Sequence, residues 1–172
     1  MAVVALVGTK TTDLVATKQT FVDSRYHYGR VRSTFDVVEC NSGDTDRTGG
    51  TAGSTYHLAR LPSNAVILPS STIYFDDIGG GSSTLDIGVY AVNGNLVNAD
   101  DVDAINDGIS CATAGSASVI KDFATSATAL WDYVASELVD PGGFLDIKVE
   151  LADGADTDAA GSIALELFYV VD

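Results

Sequence analysis

The two histidines are the residues with the clearest potential for catalysis, because histidine is the side chain that changes charge near neutral pH. His27 stands between two tyrosines, and His57 lies in an alternating segment that predicts a β-strand. A serine nucleophile would need such a base beside it, yet the sequence contains no Gly-x-Ser-x-Gly motif. We therefore predict no catalytic residue. His57 is expected to be structural, and His27 is expected to belong to an aromatic cluster at an interface.

Carboxylates could serve either glycoside hydrolysis or calcium binding. The chain has 24 acidic residues, so some close pair is inevitable, and no pair is marked as catalytic. Calcium accepts oxygen ligands from flexible loops, and two groups of aspartates offer them, although neither follows the EF-hand pattern. We predict no resident metal and no other cofactor. The candidate calcium ligands are Asp100, Asp101, Asp103, Asp107, Asp153, Asp156 and Asp158.

The cysteines and the first residues of the chain carry no recognisable signal. Cys40 and Cys111 form no Cys-x-x-Cys pair, so a zinc site is not expected. Buried free thiols are the favoured state for the two, and a single disulfide is the alternative. Residues 1–8 form an apolar run too short for a signal peptide or a membrane span. We expect synthesis in the cytoplasm and no membrane association.

Charge is distributed unevenly along the chain, whose net charge is −15. Residues 1–60 hold seven of the nine basic side chains and six acidic ones, while residues 61–172 hold two basic and eighteen acidic ones. Such an acidic body should repel nucleic acid, since affinity for phosphate depends on Lys and Arg. The acidity is explained either by solubility in a salty medium or by attachment to a partner through the nearly neutral first third.

Alternating apolar residues predict strands over most of the chain. The clearest are residues 145–151, 85–91 and 163–170, in which every second side chain is apolar. Further strands are predicted at residues 30–40, 55–61, 65–68, 72–76 and 116–123. This pattern indicates an all-β, two-sheet sandwich, for which a jelly roll is the preferred topology. Phe168 and Val170 give the last strand a second apolar face, which we expect to meet a neighbouring subunit.

Two short helices are predicted in loops of the sandwich. The first covers residues 126–138, with Ser126 as the N-cap, and the second covers residues 100–105. Residues 1–29 are polar and lack a long hydrophobic pattern, so we interpret them as an extended arm that lies on another subunit. The domain organisation predicted is an arm over 1–29 and a β-sandwich over 30–172.

Several segments between residue 55 and the C-terminus resemble small structural proteins of tailed bacteriophages. They are Ala65-Val66-Ile67-Leu68, Ser83-Thr84-Leu85-Asp86-Ile87-Gly88-Val89-Tyr90, Ala129-Leu130-Trp131-Asp132-Tyr133-Val134, Asp140-Pro141-Gly142-Gly143 and Gly161-Ser162-Ile163-Ala164-Leu165. The resemblance covers about two thirds of the chain and contains no catalytic motif. It implies a virion component made in the host cytoplasm, and in particular a decoration (cement) protein on the capsid exterior.

The partners implied are the major capsid protein or other virion subunits, together with further copies of this chain. A homo-oligomer is expected, and a trimer is favoured. The predicted partner-interface residues are Lys10, Lys18, Arg25, Arg30, Arg32, Phe168 and Val170. Two other functions stay open: a neck or tail subunit such as a collar or fibre base, and a carbohydrate-binding module. The aromatics available to such a module are Tyr26, Tyr28, Tyr56, Tyr74 and Tyr90.

Overall fold

In the computed structural model, every regular element of the described residues is a β-strand except one short helix. The structure describes residues 30–40, 52–78, 82–92, 101–122, 126–134, 139–153 and 161–171. The elements within these ranges are β1 (Arg32–Cys40), β2 (Ser54–Pro62), β3 (Val66–Ile67), β4 (Thr72–Phe75), β5 (Thr84–Tyr90), β6 (Asp101–Ser110), β7 (Gly115–Ser118), α1 (Leu130–Tyr133), β8 (Phe144–Asp153) and β9 (Gly161–Val170).

The strands form two antiparallel sheets with the order of a jelly roll. Sheet A has the order β1-β9-β4-β7, with β3 also paired to β9, and sheet B has the order β2-β8-β5-β6. With the two-residue β3 left aside, the first long strand pairs with the last, the second with the second last, and so on to the β5–β6 pair. A long hairpin rolled up on itself has this nesting, which defines a jelly roll. The predicted two-sheet, all-β sandwich is therefore confirmed.

The core lies between the sheets and is built from the alternating residues that predicted the strands. Leu145, Ile147, Val149 and Leu151 of β8 are fully buried, and so is Ile87 of β5 on the neighbouring strand. Each such side chain contributes about 1.5–3 kcal/mol when it leaves water. The same alternation continues along the inner face of β9 through Ile163, Leu165 and Leu167.

The two predicted helices differ from the structure. In the described part of the first, only Leu130–Tyr133 is helical, and Val134 is already extended with φ −82° and ψ 94°. The N-cap is Ala129 rather than Ser126, and it makes no side-chain capping bond. Its Leu130 N–H instead donates to the Ala65 carbonyl at 2.8 Å. The second prediction, a helix at residues 100–105, is wrong from residue 101 onward, because that segment begins β6.

One edge of β9 is shared by two short strands with a serine between them. β3 pairs with Val170 and Tyr169, and β4 pairs with residues 163–166. Opposite Phe168, where the strand pairing is interrupted, the Ser71 hydroxyl donates to the Phe168 carbonyl at 3.1 Å and accepts from its N–H at 2.9 Å. The Phe168 carbonyl also accepts from the Leu68 N–H at 2.7 Å, so the serine is a second donor to this carbonyl and the acceptor for the Phe168 N–H.

Candidate interaction surfaces

The outer face of sheet B is partly covered by its own edge strand. The β5–β6 pairing shifts register between Ile87 and Val89, which lets the first half of β6 pass close to Gly88. A Cβ atom at Gly88 would lie 2.4 Å from the Asp101 carbonyl oxygen and 2.5 Å from that of Val102. Only glycine permits this approach of two backbones. Consequently Asp86 and Tyr90, on either side of Gly88, are buried on a face that alternation alone would expose.

Burial changes the acidity of carboxyl groups beneath and within β6. Burial raises the pKa of Asp86, and the hydrogen bond from the Gly108 N–H, at 2.8 Å, partly opposes that rise. Burial also raises the pKa of Asp101, and a side-chain hydrogen bond with Asp103 adds to the effect. These shifts come from packing of the strand and do not by themselves mark a reaction site.

A charged network occupies the other side of this face. Arg60 on β2 donates two hydrogen bonds to Asp146 on β8, from Nε to Oδ1 at 2.6 Å and from Nη2 to Oδ2 at 3.1 Å. The pairing with Asp146 raises the pKa of Arg60. His57 Nε2 lies 3.1 Å from Asp146 Oδ1 and 3.0 Å from the Ala59 carbonyl, so it carries the ring proton that faces these two acceptors. His57 therefore has the structural environment that its strand position suggested.

The middle of the same face holds a second polar group. The Lys148 ammonium lies 4.3 Å from the centre of the Tyr90 ring, and the Tyr90 hydroxyl donates to Glu150 Oε2 at 3.3 Å. Most polar side chains of this outer face are therefore bonded within the chain. Such a surface has few unsatisfied groups for a partner to recognise.

The outer face of sheet A is open and partly apolar at β1. The register with β9 places Phe35 opposite Glu166 and Val37 opposite Ala164, on the side away from the core. Phe35 is 63% and Val37 51% exposed, and Val31, which immediately precedes β1, is 60% exposed. We call these three side chains the β1 apolar strip. An aligned set of exposed apolar residues on one strand is a feature of surfaces that bind other proteins.

The strip continues towards the middle of sheet A. Tyr74 of β4 pairs with Ala164 from the side opposite Val37, and it is 43% exposed. Its hydroxyl makes a long hydrogen bond of 3.4 Å to Glu166 Oε2. The small Ala164 of β9 therefore lies between two exposed side chains, Val37 of β1 and Tyr74 of β4, on the strands that flank β9. Tyr74 thus extends the β1 apolar strip into a wider patch.

The predicted interface residues fall in different places. Arg30 and Arg32 are exposed at the start of β1, and Phe168 is half-buried. Val170 is 3% exposed and packs with Val66 and Ala129 of its own chain. The second apolar face of β9 is thus covered at Val170 by β3 and by the residue before α1. Lys10, Lys18 and Arg25 lie outside the described residues, as does the whole of the predicted arm.

Sequence reasoning did not single out the β1 apolar strip. Its three members occupy odd positions of a segment that also contains Val38, which is half-buried on the other face. The odd–even pattern indicates two faces but not which one meets the core. Only the pairing with β9 decides this, since it aligns the even residues with Leu165 and Leu167.

The candidate metal ligands are only partly described. Asp101 and Asp103 lie on β6, and Asp107 forms an ion pair with Lys121 at 3.1 Å. Asp100, Asp156 and Asp158 lie outside the described residues, and so does the side chain of Asp153. Within the described ranges, no three His, Cys, Asp or Glu side chains are grouped so that they could hold a metal ion. The Cys111 side chain is buried, and the Cys40 side chain is not described.

No helix in the described part of the chain has the length and apolar character needed to cross a membrane.

The exposed apolar residues outside sheet A include Val139 and Phe144, which flank the Pro141-Gly142-Gly143 turn. They lie at one end of β8 rather than on an extended face.

Comparison with known proteins finds similarity in structure. No protein-family model matches the sequence, and no curated protein matches it. A chain in the capsid of Ralstonia phage GP4 superposes with a TM-score of 0.58 and 24% identity, over 84% of this chain and 86% of that one. A chain of the cyanophage Pam1 capsid asymmetric unit superposes with a TM-score of 0.55 and 16% identity, over 91% and 96%. These two matches show that the chain shares its β fold with chains of two phage capsids.

Proposed function

We propose that this protein is a structural component of a tailed-phage virion, and specifically a decoration (cement) protein that binds and reinforces the outer capsid shell. The observation that carries the proposal is the extent of the two structural matches. Because similar fractions of both chains align in each case, the matched capsid chains are nearly as long as this one and consist largely of the same fold. Fold alone does not assign function. The capsid source of both matches is what favours a virion role.

The surfaces described above fit a mechanical role better than a catalytic one. The buried carboxylates Asp86 and Asp146 of sheet B are bonded within the chain, whereas sheet A presents the β1 apolar strip beside Arg30 and Arg32. A decoration protein would act by bridging neighbouring shell subunits, and many weak contacts repeated around the shell would resist internal pressure through avidity. No reaction is proposed for the chain.

Carbohydrate binding receives little support from the described aromatics. Such modules present several exposed rings on one face, yet among the described candidate tyrosines Tyr90 is buried, Tyr56 is half-buried and only Tyr74 is exposed. Tyr26 and Tyr28 lie outside the described residues. A glycan-array screen with the purified chain should therefore show no binding above background, and specific binding would contradict this interpretation.

The decoration role is tested by counting the chain in purified particles. Quantitative mass spectrometry against the major shell protein should give one copy per shell subunit or a simple fraction of it. A ratio of a few per hundred would contradict decoration and would favour the neck or tail alternative. Absence of the chain from particles would overturn the virion role altogether.

Attachment is tested with a truncated chain. We propose that residues 1–29, with Lys10, Lys18 and Arg25, contact the shell together with Arg30 and Arg32. Removal of residues 1–29 should abolish binding to particles that lack the protein, while circular dichroism and the urea midpoint stay those of a folded β domain. Exchange of Lys121 and Lys148 for glutamine is the charge control and should leave binding intact. Unchanged binding by the truncated chain would contradict an attaching arm.

A further inference from the structure

Strand β1 is an edge strand with a regular backbone. Among the described residues it pairs only with β9, and nine consecutive pairs from Arg32↔Tyr169 to Cys40↔Gly161 run without a register shift. It contains neither a proline nor a bulge, two features by which proteins prevent strands from adding to an edge. Its outer face carries the β1 apolar strip. The edge is therefore able to accept another strand.

The backbone groups that would accept it can be assigned. The Val37 N–H donates to Asp36 Oδ1 at 2.8 Å, so a side chain occupies this donor instead of β9. Because alternate residues of an antiparallel strand direct their N–H and C=O groups to opposite sides, the odd residues of β1 direct theirs to the free edge. Two of these odd residues, Ser33 and Phe35, lie in the first half of β1.

The sequence of β1 is complementary to itself when two copies run antiparallel. With Thr34 of each copy at the centre, Arg32 stands opposite Asp36 of the second copy, and Val31 stands opposite its Val37. A two-fold axis repeats each contact, as in other isologous interfaces. The Arg32 and Asp36 positions form a pair without mutual backbone bonds, in which side chains of an antiparallel ladder come closest.

We propose that two copies of this protein associate through β1 in this register, across a two-fold axis at Thr34, and join their five-stranded sheets into one continuous ten-stranded sheet. In the pair, the Val37 N–H donates to the carbonyl of the opposing Val31 instead of to Asp36. The Asp36 carboxylate then pairs with the opposing Arg32. The four valines and two phenylalanines of the two strips then line one face of the joined sheet.

The charges explain why the occupant is a second copy rather than any other strand. The register with β9 puts Arg32 and Asp36 on the core side of the sheet, and inward charges normally discourage edge pairing. A foreign strand without matching charges would leave both ions partly desolvated and unpaired. A second copy in this register places Asp36 opposite each Arg32 and Arg32 opposite each Asp36. The same two residues therefore disfavour other strands and favour pairing with a second β1.

The contact is expected to be weak in dilute solution. One strand pair buries less than the roughly 1,200 Å² typical of a stable interface. High local concentration would therefore favour it. The inference does not depend on the proposed shell attachment, because it concerns the purified chain, and its test can fail while the particle measurements succeed. The trimer favoured by the sequence would use another surface and stays a prediction.

The test is sedimentation equilibrium of the full chain at low salt, over a concentration range of about 1 µM to 1 mM. The weight-average mass of the wild type should rise from 17.8 kDa towards twice that value. Asp36→Arg sets Arg against Arg, and Arg32→Asp sets Asp against Asp, so each should weaken association at least about tenfold. An equal mixture of the two variants should associate again, because every Arg then faces an Asp.

Asp132→Arg is the matched control, since it makes the same charge change at an exposed position of α1. It should associate like the wild type. A single-chain mass for the wild type throughout the range would overturn the proposal, as would a mixture no more associated than its components. A larger species that persists in Asp36→Arg would assign association to another surface. Loss of particle binding by Asp36→Arg with no mass change would make a shell subunit the occupant, and would also overturn it.

Discussion

The outer faces of the two sheets differ in how far their side chains are buried. On sheet B, a shifted β6 covers Asp86 and Tyr90, while Asp146 is held by Arg60 and contacts His57. On sheet A, the β1 apolar strip stays in water and its edge carries no second strand within the described residues. Both faces come from the same kind of alternating strand. What separates them is whether another part of the chain lies over the face.

This difference indicates that substitutions on the outer face of sheet B are constrained by folding, whereas those on the β1 apolar strip are constrained by partners. Changes at Asp86, Tyr90 and Asp146 on the outer face of sheet B should reduce the stability of the single chain, because these side chains are buried and bonded there. Changes on the β1 apolar strip should leave the single chain intact and alter only its associations. The following predictions test that division in order of expected effect.

The largest effect is expected where β6 passes over β5. Gly88→Ala should lower the free energy of unfolding by about 3 kcal/mol, because its Cβ would clash with the backbone oxygens of Asp101 and Val102. These oxygens can move only if the β6 backbone moves with them. Urea unfolding monitored by circular dichroism measures the change. Gly115→Ala is the control, since its Cβ would make only an ordinary contact of 3.6 Å with Phe75. Equal losses for the two variants would show that β6 does not constrain this face.

A smaller effect is expected at the charged network. Asp146→Ala should lower the free energy of unfolding by about 2 kcal/mol, because it removes the acceptor of a two-bond contact from a buried position. The same urea experiment applies, with Asp132→Ala as an exposed control. A loss as small as that of the control would mean that the network contributes nothing to sheet B.

The next test concerns pH. Because burial raises the pKa of Asp86 in the folded chain, the folded state binds its proton more tightly than the unfolded state does. Stability from this group is therefore highest in acid and falls as pH rises past the ordinary value of 3.8 towards the raised one. Asp86→Asn keeps an acceptor for the Gly108 N–H and carries no charge.

Relative to the wild type, Asp86→Asn should consequently be more stable at pH 7 than at pH 3. Urea midpoints of both proteins at the two pH values measure this difference. Asp140→Asn, at an exposed position, serves as the control and should show no such trend. A gain for Asp86→Asn that is the same at both pH values would contradict a burial effect on ionisation.

The smallest effect on stability is expected on the open face. Phe35→Ser should change the free energy of unfolding by no more than about 0.5 kcal/mol, because the ring is 63% exposed. Leu165→Ala, on the inner face of the adjacent strand, should cost about 2–5 kcal/mol in the same assay. A large loss for Phe35→Ser would show that the strip is part of the core and would remove the contrast between the faces.

The sequence predicted the strands whose alternation is undisturbed, and it failed where packing breaks the period. β5, β8 and β9 alternate clearly in sequence and were predicted close to their true bounds. In β6 the buried residues are Ile105, Asn106 and Ile109, because register shifts against β5 interrupt the alternation. A period of two therefore does not identify this strand from its sequence.

The candidate surfaces were predictable only in part. The exposed Arg30 and Arg32 follow from their charge, and the role of His57 follows from its strand position. The β1 apolar strip and the cover over Gly88 could not be inferred, since both depend on which strand becomes the neighbour of which. Partners distant in sequence, such as β1 and β9, leave no mark in either segment alone.

The nesting of the jelly roll has a consequence for synthesis on the ribosome. β1 is the first described strand to emerge, yet its ladder partner β9 follows roughly 120 residues later. At typical elongation rates of about 5–20 residues per second, β1 waits on the order of 6–24 s for its partner. During that interval β1 lacks its β9 partner. Arg32 and Asp36 then disfavour pairing of β1 with strands that carry no matching charges, before any role in the finished protein begins.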